Sequence, residues 1–302
     1  MPVPDRVGVV ILHWHTEEPT LACIKSIGSN QTPSTYIYIV DNGSSPGFRN
    51  RVLQVSSCAV ILGDGTNLGF AAGANLGARR ALDDGCTQIV FLNNDTVLSG
   101  DALQILSRDA FGIVNPRILS DRNRDEVWFD GGRISFGGKG VHQDIGRPLG
   151  SLRNKPERET TTFATACAML IRKETFELIG SFDERLFAYG EDLDLSIRAA
   201  RANVSIGINR GAIVFHGESH SVRSNVGKNF RDYYVLRNAL LLLKKHFLQD
   251  KYLIRLAFLL ATDFCIPFVF FLMTFQPKRV QALILGLRDG LIGIGGRSPR
   301  WN

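Results

Sequence analysis

The chain has 302 residues, 44% apolar and 21% charged, with 30 glycines and 11 prolines. Such a composition buries a full core and excludes a disordered, collagenous or small disulfide-held chain. The net charge is +6, but residues 1–230 carry 24 Lys and Arg against 25 Asp and Glu, whereas residues 231–302 carry 11 against 4. The basic excess therefore lies in the last quarter, interleaved with apolar residues. That pattern points to a membrane with anionic headgroups rather than to nucleic acid. Five widely spaced cysteines without a C-x-x-C pair read as small buried residues of a reducing compartment, not as disulfides or a zinc site. The start, Met-Pro-Val-Pro-Asp, leads into an apolar hexamer too short for a signal peptide, so a cytoplasmic location is expected.

In chain order, Val7–Leu12 is an apolar run rich in β-branched residues, Thr20–Ile27 has helical spacing, and Tyr36–Val40 is a second strand ending in Asp41-Asn42-Gly43. Strand, helix, strand is a parallel α/β unit. Ala59–Leu62, a glycine-rich entry into a helix over Gly69–Leu82, and Ile89–Leu92 ending in Asn93-Asn94-Asp95-Thr96 continue it. A helix over Asp101–Ser107 and a strand over Gly112–Asn115 complete the first half. The expectation is an open, doubly wound, mainly parallel sheet with its ligand beyond the carboxyl ends of the strands. The second half predicts a hairpin or irregular loop over Trp128–Gly146, a mobile polar stretch over Gly150–Thr161, and a strand over Thr165–Ile171. A helix over Glu191–Ala202, short strands over Val204–Ile208 and Ala212–Phe215, and an amphipathic helix over Arg231–His246 follow.

Four constellations could carry chemistry. Asp95 leaves a buried strand behind two amides, where a hard cation could take it together with substrate phosphates, although a helix cap or Asx turn uses the same residues. Glu191-Asp192-x-Asp194 places three carboxylates in four positions, an arrangement that needs a compensating cation or substrate unless it merely serves the helix dipole. Positions i and i+2 diverge by roughly 200° on a helix, so at most one of Asp192 and Asp194 meets substrate while the other caps or pairs, Arg198 being in reach of Asp194. His216-Gly217-Glu218-Ser219-His220 ends a strand and suits a metal ligand, a phosphate donor or a turn. Gly65–Gly77 brings small residues to a strand-to-helix entry, where backbone N–H groups could approach a nucleotide, or where Gly73 and Gly77 could simply pack on the sheet.

Taken together, Asp41-Asn42-Gly43-Ser44-Ser45, Asn67-x-Gly69-Phe70-Ala71-x-Gly73-x-Asn75, Leu92-Asn93-Asn94-Asp95-Thr96, Gly180-Ser181-Phe182-Asp183-Glu184, Phe187-x-x-x-Glu191-Asp192-x-Asp194-Leu195 and His216 resemble family 2 glycosyltransferases of the GT-A fold. The nearest likeness is to rhamnosyltransferases of bacterial cell-surface polysaccharide assembly. One departure is His13-Trp14-His15, where the family usually reads asparagine, aromatic, asparagine. The resemblance implies inverting transfer from a nucleoside diphosphate sugar to an acceptor hydroxyl with Mg²⁺ or Mn²⁺. It implies Asp192 as general base, Asp95 and His216 as metal ligands, and Asp41, Asn67, Gly69, Asn93 and Arg237 on the donor. The expected donor is dTDP-rhamnose and the acceptor a glycan or lipid-linked glycan. The alternatives are a UDP-sugar donor or a noncatalytic nucleotide-sugar-binding protein.

The division expected is a catalytic region over 1–228 and a basic, apolar helical extension over 229–302 that associates with the inner face of the cell membrane. Leu256–Phe275 has 12 Leu, Ile, Val or Phe residues and one charge, Asp263. Twelve such residues favour insertion by roughly 4 to 7 kcal/mol against about 3 kcal/mol for a central Asp, before any cost for Pro267. That balance favours helices lying in or dipping into the cytoplasmic leaflet over a true span or a purely soluble packing helix.

Overall fold

A computed structural model of the chain describes residues 6–28, 34–217 and 225–300. Its centre is a sheet in which β1 (Val7–His13), β2 (Thr35–Asp41), β3 (Val60–Leu62) and β4 (Gln88–Asn93) run parallel, with β4 and β2 on either side of β1. Alternation splits the apolar residues of these strands between two faces. Val7, Val9 and Ile11 pack under α1 (Glu17–Gly28), α2 (Phe48–Val55) and α4 (Ala102–Ser107). Val10 and Tyr38 pack under α3 (Gly69–Asp83), α5 (Lys173–Ile179) and α6 (Glu191–Arg201). Helices on both faces are why the strands read as continuous apolar runs. The carboxyl ends of β1, β2 and β4 deliver Trp14, Asn42 and Asn93-Asn94-Asp95 to one edge.

The rest of the sheet departs from the expected pattern. β11 (Ala168–Arg172) lies antiparallel between β4 and β6 (Ile113–Ser120), so the sheet is mixed although mostly parallel. The two short strands predicted after residue 204 are one strand, β12 (Ile206–His216), broken by a bulge between Asn209 and Ile213. Within the bulge Arg210 turns inward to the fully buried Asp130 at 3.0 Å, where Arg117 and Lys155 also converge at 2.6 and 3.0 Å. The stretch predicted to be mobile is held by this cluster. β10 (Arg158–Thr160) pairs with β12, and Arg210 reaches Glu159 at 2.6 Å. β7 (Val127–Phe129) pairs with β6, and β8 (Gly132–Ile134) with β9 (Gly140–His142) forms a separate hairpin. β5 (Thr96–Leu98) pairs with β12. Cys23, Cys86 and Cys167 are buried as expected, whereas Cys58 and Cys265 are exposed.

The glycines of α3 are explained by packing. A Cβ on Gly73 would overlap Leu12, and one on Gly77 would overlap Val10, so these positions set how closely the helix approaches β1.

α7 (Asn225–Phe247) fastens the last quarter to α6. The fully buried Asp194 carboxylate meets His246 Nε2 at 2.7 Å, Lys245 Nζ at 2.6 Å and Arg198 Nε at 2.9 Å. Burial opposes its ionisation, but the hydrogen bonds from His246 and Lys245 and the charge of Arg198 outweigh that and bring its pKa to about 2. Because the folded value lies below the unfolded one, the carboxylate contributes full stability above about pH 4 and loses it as pH falls toward 2. Asp194→Ala is expected to cost about 3–5 kcal/mol in urea unfolding at pH 7. The deficit relative to wild type should shrink on acidification through that window; a deficit independent of pH would show that the ion pairs are not its source.

Candidate active site

Beyond the carboxyl ends of the parallel strands lies a cleft of about 510 Å³, bordered by β1, β4, β11, β12 and the start of α6. Six of the eight residues expected from the sequence line it: Asn67, Gly69, Asn93, Asp95, Asp192 and His216. Glu218-Ser219-His220, the remainder of the histidine motif, lies outside the described residues.

Asp95 and His216 meet because β5 pairs with β12, which brings Thr96 opposite His216. Asp95 Oδ1 lies 3.3 Å from His216 Nε2, and both side chains are nearly buried. Burial alone would lower the His216 pKa, but its buried partners reverse the sign and the value is raised. Asp95 is the partner that matters at neutral pH, since burial pushes the neighbouring Cys167 thiol up and keeps it protonated. Two atoms of the pair remain without partners although buried, Asp95 Oδ2 and His216 Nδ1. An unpaired buried carboxylate oxygen is costly. Here it faces the cleft and fits a hard divalent cation. Among the described residues no three His, Cys, Asp or Glu side chains converge. A cation held by Asp95, with His216 beside it, would therefore complete its shell with substrate phosphate and water, as Mg²⁺ commonly does.

The carboxylates of α6 sort as their spacing requires. Asp192 faces the cleft and is partly open to it, with Oδ1 accepting from its neighbour Leu193 N at 2.8 Å. Glu191 is buried beside it, and its Oε2 lacks a partner. Burial raises both pKa values, and for Glu191 repulsion from Asp192 adds to the effect. Asp194 points the other way into its cationic socket.

Two expected donor residues stand elsewhere. Asp41 is buried just behind the cleft, with Oδ1 accepting from Gly43 N and Ser44 N at 3.3 and 3.0 Å and Oδ2 from Ser44 Oγ at 2.6 Å. It shapes the turn that presents Asn42, which does line the cleft. Arg237 is fully buried and outside the cleft, so the expectation that it holds a diphosphate is corrected. Its guanidinium lies 4.5 Å from the ring centre of Tyr234, and it donates to Asn238 Oδ1, Gly296 O, Leu186 O and Arg185 O. Asn238 in turn donates to the carbonyls of Leu186, Ala188 and Tyr189. This pair fixes the loop before Glu191, while Arg231 supplies the cationic side chain of the cleft wall.

At the glycine-rich entry to α3 the packing alternative holds. Phe70 N and Ala71 N donate to the carbonyl of Phe187, at 2.6 and 3.2 Å, so they are not offered to a ligand. Gly69 adopts φ +79°, and a Cβ there would collide with Phe187. Phe187 and Tyr189 themselves take φ +61° and +68°, each a strain of about 1–3 kcal/mol of the kind stored near functional sites.

Sequence reasoning missed Trp14, Trp128, His142, Tyr189 and Arg231 as lining residues. Trp128 stacks edge-on to His216 and to His142, at 4.5 and 4.6 Å between ring centres. His142 comes from the β8–β9 hairpin, which carries no motif. Trp14 sits in the departing His13-Trp14-His15 segment. There His13 is buried against Phe48, 3.8 Å between ring centres, and burial pushes its pKa down to about 4, so it is neutral. The Asp95–His216 pair is open to a direct check on metal-free protein. NMR titration should find the His216 pKa above the ordinary value of about 6.5, and Asp95→Asn should lower it by at least one unit. An unchanged value would remove the carboxylate as its cause.

The chain matches the model of glycosyl transferase family 2 over residues 9–180. It is 28% identical over 214 residues to the low-salt glycan biosynthesis hexosyltransferase Agl10 of Haloferax volcanii, an alignment covering 67% of this chain and 64% of the relative. It is 24% identical over 305 residues to the dTDP-rhamnosyl transferase RfbF of Shigella flexneri, covering 97% of both chains. The fold is similar to that of GalNAc-T7, solved with UDP, GalNAc and Mn²⁺, with a TM-score of 0.62 at 14% identity over 82% of this chain and 48% of that one. The mixed, mostly parallel sheet with its flanking helices is thus the GT-A fold, and the chain belongs to glycosyl transferase family 2.

Proposed function

We propose that the chain is an inverting, divalent-metal-dependent glycosyltransferase. In this reading it moves rhamnose from dTDP-rhamnose to a hydroxyl of a glycan or lipid-linked acceptor at the inner face of the cell membrane. The observation that carries the reading is one cleft holding a partly open carboxylate of raised pKa, Asp192, together with the Asp95–His216 pair and its orphaned oxygen. The choice of donor is supported by the likeness to RfbF, which extends over 97% of both chains. The choice of metal is supported by Asp95 Oδ2 and by the Mn²⁺ found with the structural neighbour. Residues 1–228, with Arg231 reaching in from the start of the extension, would carry the chemistry, and the rest of 229–302 would mount it on the membrane.

In the transfer step the acceptor oxygen bonds to the anomeric carbon as its proton passes to Asp192. The bond between that carbon and the diphosphate oxygen breaks on the opposite face, and its electron pair leaves with the diphosphate. Burial beside Glu191 makes Asp192 a stronger base than an ordinary surface carboxylate, and proton transfer late in the transition state suits a base still weaker than the alkoxide of the alcohol it serves. Only one carboxylate need react, because the leaving group is already a stabilised anion. Asp95 would hold Mg²⁺ or Mn²⁺, with His216 joining it on giving up its proton, and the ion when bound neutralises charge developing on the diphosphate. Asn67, Asn93 and Arg231 offer hydrogen-bond donors and a charge to the nucleotide and diphosphate, and Asn42, whose Nδ2 donates to Asn67 Oδ1 at 3.1 Å, holds Asn67 in place. The apolar faces of Trp14, Trp128 and Tyr189 narrow the cleft around them.

Asp192→Asn is expected to lower kcat by about 10²–10⁴-fold while leaving Mn²⁺-dependent dTDP binding unchanged in calorimetry. Wild-type turnover in that variant would remove Asp192 from the base role. Since Asp192 must be ionised to accept a proton and its pKa is raised, the rate should climb with pH along an acid limb above the ordinary carboxylate range of about 4. Asp95→Ala should abolish the part of dTDP affinity that EDTA removes from wild type. Tight nucleotide binding without turnover of any dTDP-, UDP- or GDP-sugar would favour a noncatalytic binding protein.

A further inference from the structure

The chain after residue 247 forms two more helical stretches. One is a continuous helix over Tyr252–Met273, comprising α8 (Tyr252–Leu259), a π-turn over Leu260–Cys265 and α9 (Ile266–Met273). The other is α10 (Pro277–Ile292). The first has a mean hydropathy of 2.2 over its most apolar 18-residue window, of which 11% is buried. At 1.5 Å per residue its 22 residues reach about 33 Å, enough to cross a bilayer core of about 30 Å.

The packing argues for a different arrangement. We propose that the outer face of the Tyr252–Met273 helix lies in the plane of an anionic lipid surface, sunk into one leaflet without crossing it. This deepens the membrane partner named under the proposed function and stands apart from the transfer chemistry.

Both ends of the helix are tied to one body. On its inner face Leu259 and Phe271 are buried against Leu236, Leu240 and Leu243 of α7 and Leu283 of α10. Its only acidic residue, Asp263, pairs with Lys139 of the β8–β9 hairpin at 2.5 Å. At the start of the helix Arg255 lies over Phe136 of that hairpin and Phe247 of α7, 4.6 and 4.5 Å from the ring centres. After the helix, α10 runs alongside α7. Arg279 pairs with Asp232 at 2.6 Å, Gly286 lies against the Tyr233 carbonyl, and Gly290 against Leu240. A transmembrane course would carry α10 to the opposite side of the bilayer and break all of these contacts.

The outer face is organised for a flat apolar medium. Leu253 and Met273, at its two ends, are 76% and 74% exposed, and Ile254, Ile266, Val269 and Phe270 are exposed between them. In an unbroken α-helix, at about 100° per residue, the exposed apolar rows before and after the middle would point roughly 100° apart. The π-turn takes up one extra residue and brings the two rows back onto one side. Pro267, which lacks an N–H and crowds the preceding turn, follows directly and gives the widening its cause. Exposed Lys251 and Lys278 flank the face at its two ends, as suits anionic headgroups. A second copy of the chain is a poorer occupant. Antiparallel two-fold pairing of this helix sets Lys251 of one copy beside Lys278 of the other, and parallel pairing sets each lysine beside its own counterpart.

The test uses the full chain. It should float with phosphatidylcholine vesicles containing 30% phosphatidylglycerol and bind pure phosphatidylcholine at least tenfold more weakly. Ile266→Asp with Phe270→Asp should reduce flotation at least tenfold, with an unchanged melting temperature and unchanged dTDP binding. Topology is read by introducing Gln249→Cys or Gln281→Cys, singly, into a Cys58→Ser, Cys265→Ser background and labelling inside-out membrane vesicles from expressing cells with an impermeant maleimide. Labelling of both positions from the cytoplasmic face supports the in-plane arrangement. Labelling of only one shows a span and overturns it. Absence of flotation overturns it as well, and a concentration-dependent dimer abolished by the double variant would assign the face to a second copy. Failed turnover with flotation intact would count against the transfer reading alone.

Discussion

Two carboxylates separated by one residue on a helix point roughly 200° apart, so a helix that begins Glu191-Asp192-Leu193-Asp194 can offer a cleft only one of Asp192 and Asp194. Which one is decided behind the cleft. Arg198 from the same helix and Lys245 and His246 from α7 close on Asp194, which is fully buried. That socket sets the rotation of α6 about its axis, and the rotation sets Asp192 into the cleft and Glu191 under it. α7 then continues into the helices that carry the apolar face, and its Arg237 and Asn238 hold the loop that enters α6. The orientation of Asp192 and the attachment of the last quarter of the chain thus rest on one buried ionic cluster.

The opposite end of the cleft obeys a different constraint. Asp95 and His216 belong to separate excursions of the chain and meet only because β12 pairs with β5. Their mutual attraction uses one oxygen and one nitrogen and leaves the remaining lone pair of Asp95 desolvated. Among the described residues of α6, Glu191 Oε2 is a buried side-chain atom without a partner, and Asp192 is partly open to the cleft. The cleft thereby concentrates unanswered charge at two places, one fit for a proton and the other for a cation.

Much of this was legible in the sequence, and the rest was hidden for identifiable reasons. Apolar runs ending in Asp41 and Asp95 marked strands covered on both faces and the edge where their loops converge, because burial and alternation are local properties. The split between Asp192 and Asp194, and the pairing of Asp194 with Arg198, followed from helical geometry alone. Arg237 was misread because a cation near the end of a motif-bearing chain has no local mark telling whether its donors meet a ligand or carbonyls such as those of Gly296 and Leu186. Trp128 and His142 escaped notice because they reach the cleft through β-pairing between distant segments. The polar stretch before residue 161 reads as mobile for the same reason, since its anchors, Asp130 and Arg210, lie far from it in the chain.

The carbonyl of Phe187 receives the first amides of α3, so that helix draws its N-terminal cap from the far half of the chain. A helix whose opening turn is completed by so distant a residue cannot finish forming until the loop before α6 has docked. The strained backbone of Phe187 and Tyr189 is in turn held by Arg237 and Asn238, still later in sequence. The opening turn of α3 therefore depends on contacts supplied by the far half of the chain and, through them, by α7. The region matched by the family model ends at residue 180, short of Phe187, Arg237 and Asn238, so it lacks the residues that complete the first turn of its own helix α3.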